Sequence, residues 1–120
     1  MNPETSHMNA LRIEAARHGV LLWRNNVGVL KDITGRAVRF GLANDSKRVN
    51  ERLKSSDLIG PHQGRFCAFE VKLPGWKYTG SGREKAQLAF INLVKEHGGI
   101  AGFVTCWGDI AKLLGLNDKS

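Results

Sequence analysis

The sequence predicts a single mixed α/β domain, and three observations carry that expectation. Two segments show helical spacing of apolar residues between recognisable end signals, near residues 3–18 and 81–97. Between and after them lie short runs rich in Val, Ile, Leu and Phe, the composition of buried strands. At 120 residues and 42% hydrophobic content the chain suffices for one core but not for two.

Taken in order, Asn2-Pro3-Glu4 reads as a helix start: a capping Asn, a Pro at the first helical position and an acid in the first turn. Met8, Leu11 and Ala15 continue at helical spacing, and Gly19 supplies a left-handed stop after Arg17 and His18. Residues 20–23 read as a buried strand, residues 24–28 as a polar turn, and residues 29–40 as a hairpin broken at Thr34-Gly35. Residues 41–56 form a loop or short basic helix. Residues 57–60 make a short strand, 61–64 a turn and 65–72 a longer strand that Leu73-Pro74-Gly75 terminates. Ser81 and Glu84 have capping-box spacing ahead of the stripe Ala86, Phe90, Leu93, Val94 and His97, which ends at Gly98-Gly99. Residues 100–106 then read as a buried strand, and Asp109 as the cap of a short helix reaching Leu114.

Charge gives the first functional indication. Eighteen Lys and Arg against 11 Asp and Glu leave the chain at +7, and polyanions are the expected partners. Nine of the cations lie between Lys31 and Lys72, opposed there by five acids. No stretch approaches the roughly 18 uninterrupted apolar residues of a membrane span, and the first residues lack a signal-peptide layout, so a cytoplasmic protein is expected. Cys67 and Cys106 lie far apart in apolar runs and read as buried thiols rather than a disulfide or zinc site. The four histidines show no metal-ligand spacing, no nucleophile triad is recognisable, and Trp23 and Trp107 read as core.

The chemistry concentrates at residues 57–72. In an extended strand Glu70 and Lys72 share one face while Phe69 and Val71 take the other, and a fold at residues 61–64 would bring Asp57 beside Glu70. Two carboxylates and a backbone carbonyl such as that of Val71 are hard oxygen ligands suited to Mg²⁺. A nearby lysine can stabilise the charge that develops on a phosphate under attack. A lone Glu-x-Lys is more often a same-face pair on a solvated sheet.

The surroundings decide between these. Ser55-Ser56-Asp57-Leu58-Ile59-Gly60, the run from Phe66 through Glu70-Val71-Lys72 to Gly75, and the helix holding Gln87 together resemble the VRR-NUC family of the PD-(D/E)XK nucleases. The resemblance covers about residues 11–110, and Arg24-Asn25-Asn26-Val27-Gly28 looks like the polar segment of phage-type members. It implies a restriction-endonuclease-like fold, a mixed β-sheet flanked by helices, with residues 1–120 as one nuclease domain. It also implies that Glu14, Asp57 and Glu70 hold Mg²⁺ or Mn²⁺, with the Val71 carbonyl expected beside them on ligand chemistry, that Lys72 is the catalytic cation, and that Gln87 completes the site. Glu14 lies one position off the Met8, Leu11, Ala15 stripe and reads equally as an exposed helix acid; Gln87 likewise borders its stripe. Ser56 stands where the motif has Pro, and residues 79–84 depart from the Ser/Thr-Pro approach of many members.

The expected activity is metal-dependent DNA hydrolysis, selective for branched structures such as Holliday junctions, in a bacterial or phage-infected cell. Phosphate contacts are expected from Lys47, Arg48, Arg52, Lys54, Lys77, Arg83 and Lys85. Trp76 could stack on a base or simply pack within its loop. Paired cuts on a junction need two sites, which a symmetric dimer supplies. The rival expectations are a non-catalytic DNA-binding module on the same fold and an RNA-processing nuclease.

Overall fold

Local signals set the first helix. Asn2 Oδ1 accepts the Thr5 N–H at 2.7 Å and Pro3 occupies the first turn, so α1 runs Pro3–Arg17. It ends as Gly19 takes φ +77°, while the Gly19 and Val20 N–H groups bond back to Ala16 and Ala15, the Schellman closure. The computed structural model describes residues 2–116. Its further elements are β1 (Trp23–Arg24), β2 (Gly28–Lys31), β3 (Ala37–Phe40), α2 (Lys47–Arg52) and β4 (Leu58–His62). β5 (Arg65–Val71), α3 (Gly82–Glu96), β6 (Ile100–Val104) and α4 (Trp107–Leu114) complete the order.

Four strands make one mixed sheet in the order β1-β4-β5-β6. β4 and β5 form a hairpin through Gln63-Gly64, both at positive φ, the two-residue turn whose twist matches its strands. β5 and β6 are parallel because α3 crosses between them. Along β5 the side chains alternate. Cys67 and Phe69 enter a core with Leu11, Ala15, Val104 and Ile110 from the α1 and α4 side. Ala68 enters a second core with Phe90, Ile91 and Val94 of α3. The sheet is therefore buried on both faces, which is what aims Glu70 at α3. Among the described residues no helix is long and apolar enough to cross a membrane.

Several expectations are corrected. Of the anticipated 20–23 strand only Trp23 pairs with β4, together with Arg24 from the expected turn; Trp23 is 49% exposed and is not core, whereas Val20 and Leu22 are buried. Pro61 and His62 belong to the β4 ladder, so the turn is two residues shorter. Leu93 is on the solvent side of α3 and Ile91 takes the inner position. Asp109 does not stand at the cap of α4: it sits in the first turn and accepts the Thr105 N–H and hydroxyl, each at 2.8 Å, while Cys106 holds the cap position and is exposed.

One close approach carries a stability prediction. A Cβ on Gly60 would stand 2.2 Å from the Leu21 carbonyl oxygen, a backbone atom with no side-chain freedom to yield. Gly60→Ala should lower unfolding stability by about 1–3 kcal/mol, read as a fall in the urea midpoint. An unchanged midpoint would show that the segment at Leu21, just before β1, does not hold this approach in solution.

Candidate active site

Asp57 immediately precedes β4, and extending the Leu58–Phe69 register by one step sets it opposite Glu70. The Val71 N–H donates to Asp57 Oδ2 at 3.0 Å, and the Asn25 N–H donates to the Asp57 carbonyl at 2.8 Å, so backbone and side chain of Asp57 are both fixed. In an extended strand the N–H and C=O of one residue leave by the same edge, so the Val71 carbonyl emerges on the Asp57 side. Glu70 is only 4% exposed. Burial, then the hydrogen bond and negative charge of Asp57, push its carboxyl up to about 9, against the opposing pull of Lys72 and Arg83. Glu70 thus faces Asp57 with its own proton retained near neutrality.

Lys72 shares the Glu70 face, as alternation requires. Its Nζ donates to Gln87 Oε1 at 3.0 Å and stands 5.4 Å from the Trp76 ring centre and 5.7 Å from that of Phe103. Gln87 is almost fully buried on α3, not an exposed helix polar residue. Trp76 is itself held: its Nε1 donates to Glu84 Oε2 at 3.0 Å, and its ring lies 4.8 Å from Phe103. Glu84 closes the capping box with Ser81 and also accepts the Thr79 N–H and hydroxyl. Those donors, the Thr79 hydroxyl foremost, hold its carboxyl down to about 2. Trp76 thus packs against Phe103 and Glu84 with its ring turned to the lysine.

Helix α1 reaches the site through a different acid from the one expected. Glu14 pairs with Arg17 at 3.7 Å and borders a separate depression beside Ile13 and Trp107. Glu4, together with His7 and Met8, lines a cavity of about 540 Å³ that contains Asp57, Glu70, Lys72 and Gln87. The signal was present in the sequence, since Glu4, Met8, Leu11 and Ala15 fall on one helical stripe and Glu14 does not. His7 anchors this turn by a 2.8 Å contact between Nε2 and the Thr105 carbonyl.

A second cavity, about 380 Å³, adjoins the first and shares Met8, Asp57, Glu70, Arg83 and Gln87 with it. Residues 24–29 run along its wall, and Arg24, Arg39, Lys54 and Arg83 line it. Of the expected phosphate contacts, Lys54 and Arg83 therefore lie at the acids; Lys54 Nζ also donates to Asn50 at 2.6 Å. Lys47, Arg48 and Arg52 are exposed on α2, which packs against α3, where Lys85 is exposed; Lys77 is exposed on the preceding loop. Arg24 and Arg39 were not anticipated. They reach the cavity through strand pairing, Arg24 opposite Leu58 and Arg39 opposite Val29, which local sequence does not report.

Among the described residues no three His, Cys, Asp or Glu side chains gather closely enough to enclose a metal ion. What does converge is two carboxylates at one strand junction, with Glu70 held protonated by burial first and then by the hydrogen bond and charge of Asp57. A divalent cation relieves the crowding of the two acids, and Mg²⁺ in particular keeps several waters rather than a full protein cage. The donor set fits such an ion.

The raised Glu70 carboxyl has a pH consequence for the metal-free protein. The folded state holds this proton more tightly than the unfolded chain, so the stabilisation is complete below the ordinary value of 4.5 and is lost as pH rises through about 9. Glu70→Gln should flatten stability across that window and be more stable than wild type at pH 8 by about 0.5–2 kcal/mol. Urea unfolding in EDTA at pH 5, 6.5 and 8 measures this; the same pH slope in both proteins would contradict the raised carboxyl of buried Glu70. No family model and no curated protein matches this chain.

Proposed function

We propose that this chain is a metal-dependent phosphodiester hydrolase acting on DNA, built on a PD-(D/E)XK core of the VRR-NUC type. The observation that carries the reading is the convergence of Asp57, Glu70 and the Gln87-directed ammonium of Lys72 in adjoining cavities lined by four cations. The mixed sheet with helices on both faces supports the same core.

Asp57, Glu70 and the Val71 carbonyl would hold Mg²⁺ or Mn²⁺, which when bound supplies Lewis acidity to the phosphate and its attacking water. Glu70 must give up its retained proton for this, so ion binding releases protons and tightens as pH rises. Lys72 is oriented at Nζ by Gln87 and bounded by two aromatic faces, so its charge is fixed where negative charge develops on the phosphate. Arg24, Arg39, Lys54 and Arg83 would grip the flanking phosphates, a contact that gives affinity with little sequence preference. Shape is then the substrate feature left to read, and branched DNA is the reading we favour. Paired cuts on a four-way junction would take two copies of the chain.

Incubation with Mg²⁺ or Mn²⁺ and four-way, flap and linear DNA, beside an RNA duplex, tests this. Asp57→Ala, Glu70→Ala and Lys72→Ala should each reduce cleavage by roughly 10²–10³-fold. Undiminished cleavage in any of them overturns the site. Tight binding by wild type with no cleavage would instead mark a DNA-binding module, and cleavage confined to RNA an RNA-processing enzyme.

Trp76 and Glu84 should act on Lys72 rather than on DNA. Trp76→Leu, and more weakly Glu84→Gln, should slow kcat by roughly ten- to a hundredfold with KM near wild type. A rise in KM at unchanged kcat would make Trp76 a base-stacking residue.

A further inference from the structure

Between residues 27 and 42 the chain leaves large apolar side chains uncovered. Leu30 is 67% exposed and Ile33 fully so, with Val29 and Val38 also open. They belong to the β2–β3 hairpin, a separate two-stranded sheet against which, among the described residues, no other element packs broadly. Such a ribbon is only marginally stable alone, and its base shows how it is kept. Buried Asn44 donates to the Gly28 and Phe40 carbonyls, each at 2.9 Å, and its own Oδ1 accepts from Arg39 at 2.8 Å. At the tip Asp32 ties the turn by accepting from Thr34 and Arg36, which leaves Lys31 and Arg36 as outward charges.

Register assigns the two faces. Leu30 opposite Val38 makes one face apolar; Val29 opposite Arg39, and Lys31 opposite Ala37, make the other basic. Val29 and Arg39 also line the cavity that holds Asp57 and Glu70, so the basic face of the ribbon continues the wall of the candidate site. From Gly28 to Thr34 the arm is about 20 Å long, and a two-stranded ribbon fits the major groove of B-form DNA. A second copy would bring another chain of +7 against Lys31 and Arg36, whereas a polyanion neutralises them.

We propose that the β2–β3 hairpin is a DNA-gripping arm: its basic face lies along the duplex beside the scissile phosphate, and Ile33 at its tip abuts base faces uncovered at a branch point. The proposal rests on the hydrolase reading above for the position of the scissile phosphate. Apolar side chains at the end of a charged ribbon meet a broad base face only where stacking is interrupted, since the major groove of an intact duplex offers nothing more apolar than scattered thymine methyls. A-form RNA, whose major groove is too narrow for a ribbon, lacks the seat.

The test is anisotropy binding in EDTA, where no cleavage occurs, of full-length protein to a labelled linear duplex, a four-way junction of the same arms and an RNA duplex. Lys31→Ala/Arg36→Ala should weaken binding to both DNAs about tenfold near 0.1 M salt and lower the salt slope by about 1.8, for two phosphates released. Ile33→Ser should weaken junction binding about fivefold and leave linear duplex unchanged. RNA binding should respond to neither. Hydrogen exchange across residues 28–40 establishes that each variant keeps the hairpin.

Unchanged DNA affinity in both variants with the hairpin intact overturns the arm, as does an affinity unchanged per protomer alongside a lost dimer in sedimentation, which would assign the apolar face to a second copy. Equal loss on linear and junction DNA in Ile33→Ser removes the branch-point contact. Cleavage is scored separately with Mg²⁺: arm-dependent binding without cleavage sinks the hydrolase reading and keeps the arm, and cleavage with arm-independent binding does the reverse.

Discussion

The Val71 N–H bonded to Asp57 Oδ2 is the contact on which the site depends. It joins the residue before β4 to the last residue of β5, just where the hairpin ladder ends, and so sets one carboxylate against the next along the strand. Asn25 seals the same residue from the other side through the Asp57 carbonyl. With its backbone and one carboxylate oxygen fixed, Asp57 cannot move away from Glu70, and Glu70 is buried too deeply to turn toward water. The outcome is a carboxyl held protonated well above its ordinary range, which opposes the stability of the folded state at alkaline pH.

A second layer of contacts spends no charge on the acids themselves. Glu84 looks at first like a helix cap only, and its capping box is complete. Its other oxygen takes the Trp76 indole, and Trp76 with Phe103 walls the ammonium of Lys72. A cap at the start of α3, a loop aromatic and a strand lysine thereby form one mechanical unit, with Gln87 on the same helix completing it. Lysine carries substantial rotamer entropy, so its confinement has to be distributed among several partners.

Segment 24–28 links the site to the hairpin. Asn25 Nδ2 donates to Ser55 Oγ and to the Ser56 carbonyl, Ser55 in turn donates to the Leu42 carbonyl, and Leu42 donates to Asn25 Oδ1. Strand, hairpin base and Asp57 therefore share a single hydrogen-bond network. Ser56 departs from the Pro of the motif it resembles, and its buried hydroxyl has no partner among the described residues, although its carbonyl is used. At this position the backbone carbonyl is what holds Asn25.

Much of this protein was determined by sequence alone. Both long helices begin and end where Asn2, Gly19, Ser81, Glu84 and Gly98 dictate, because caps are local chemistry. Alternation along residues 65–72 likewise set Glu70 and Lys72 on one face before any packing was known. Tertiary structure decided the rest. Glu4 instead of Glu14 reaches the cavity, Trp23 faces solvent, Arg24 and Arg39 line the site, and Gln87 is buried. Each depends on which element lies across from which, through strand register and helix docking, and these are set by contacts between residues far apart in the chain. The two carboxylates illustrate the division: their identities are written in the sequence, and the proton that Glu70 keeps exists because the fold buries it and sets Asp57 beside it.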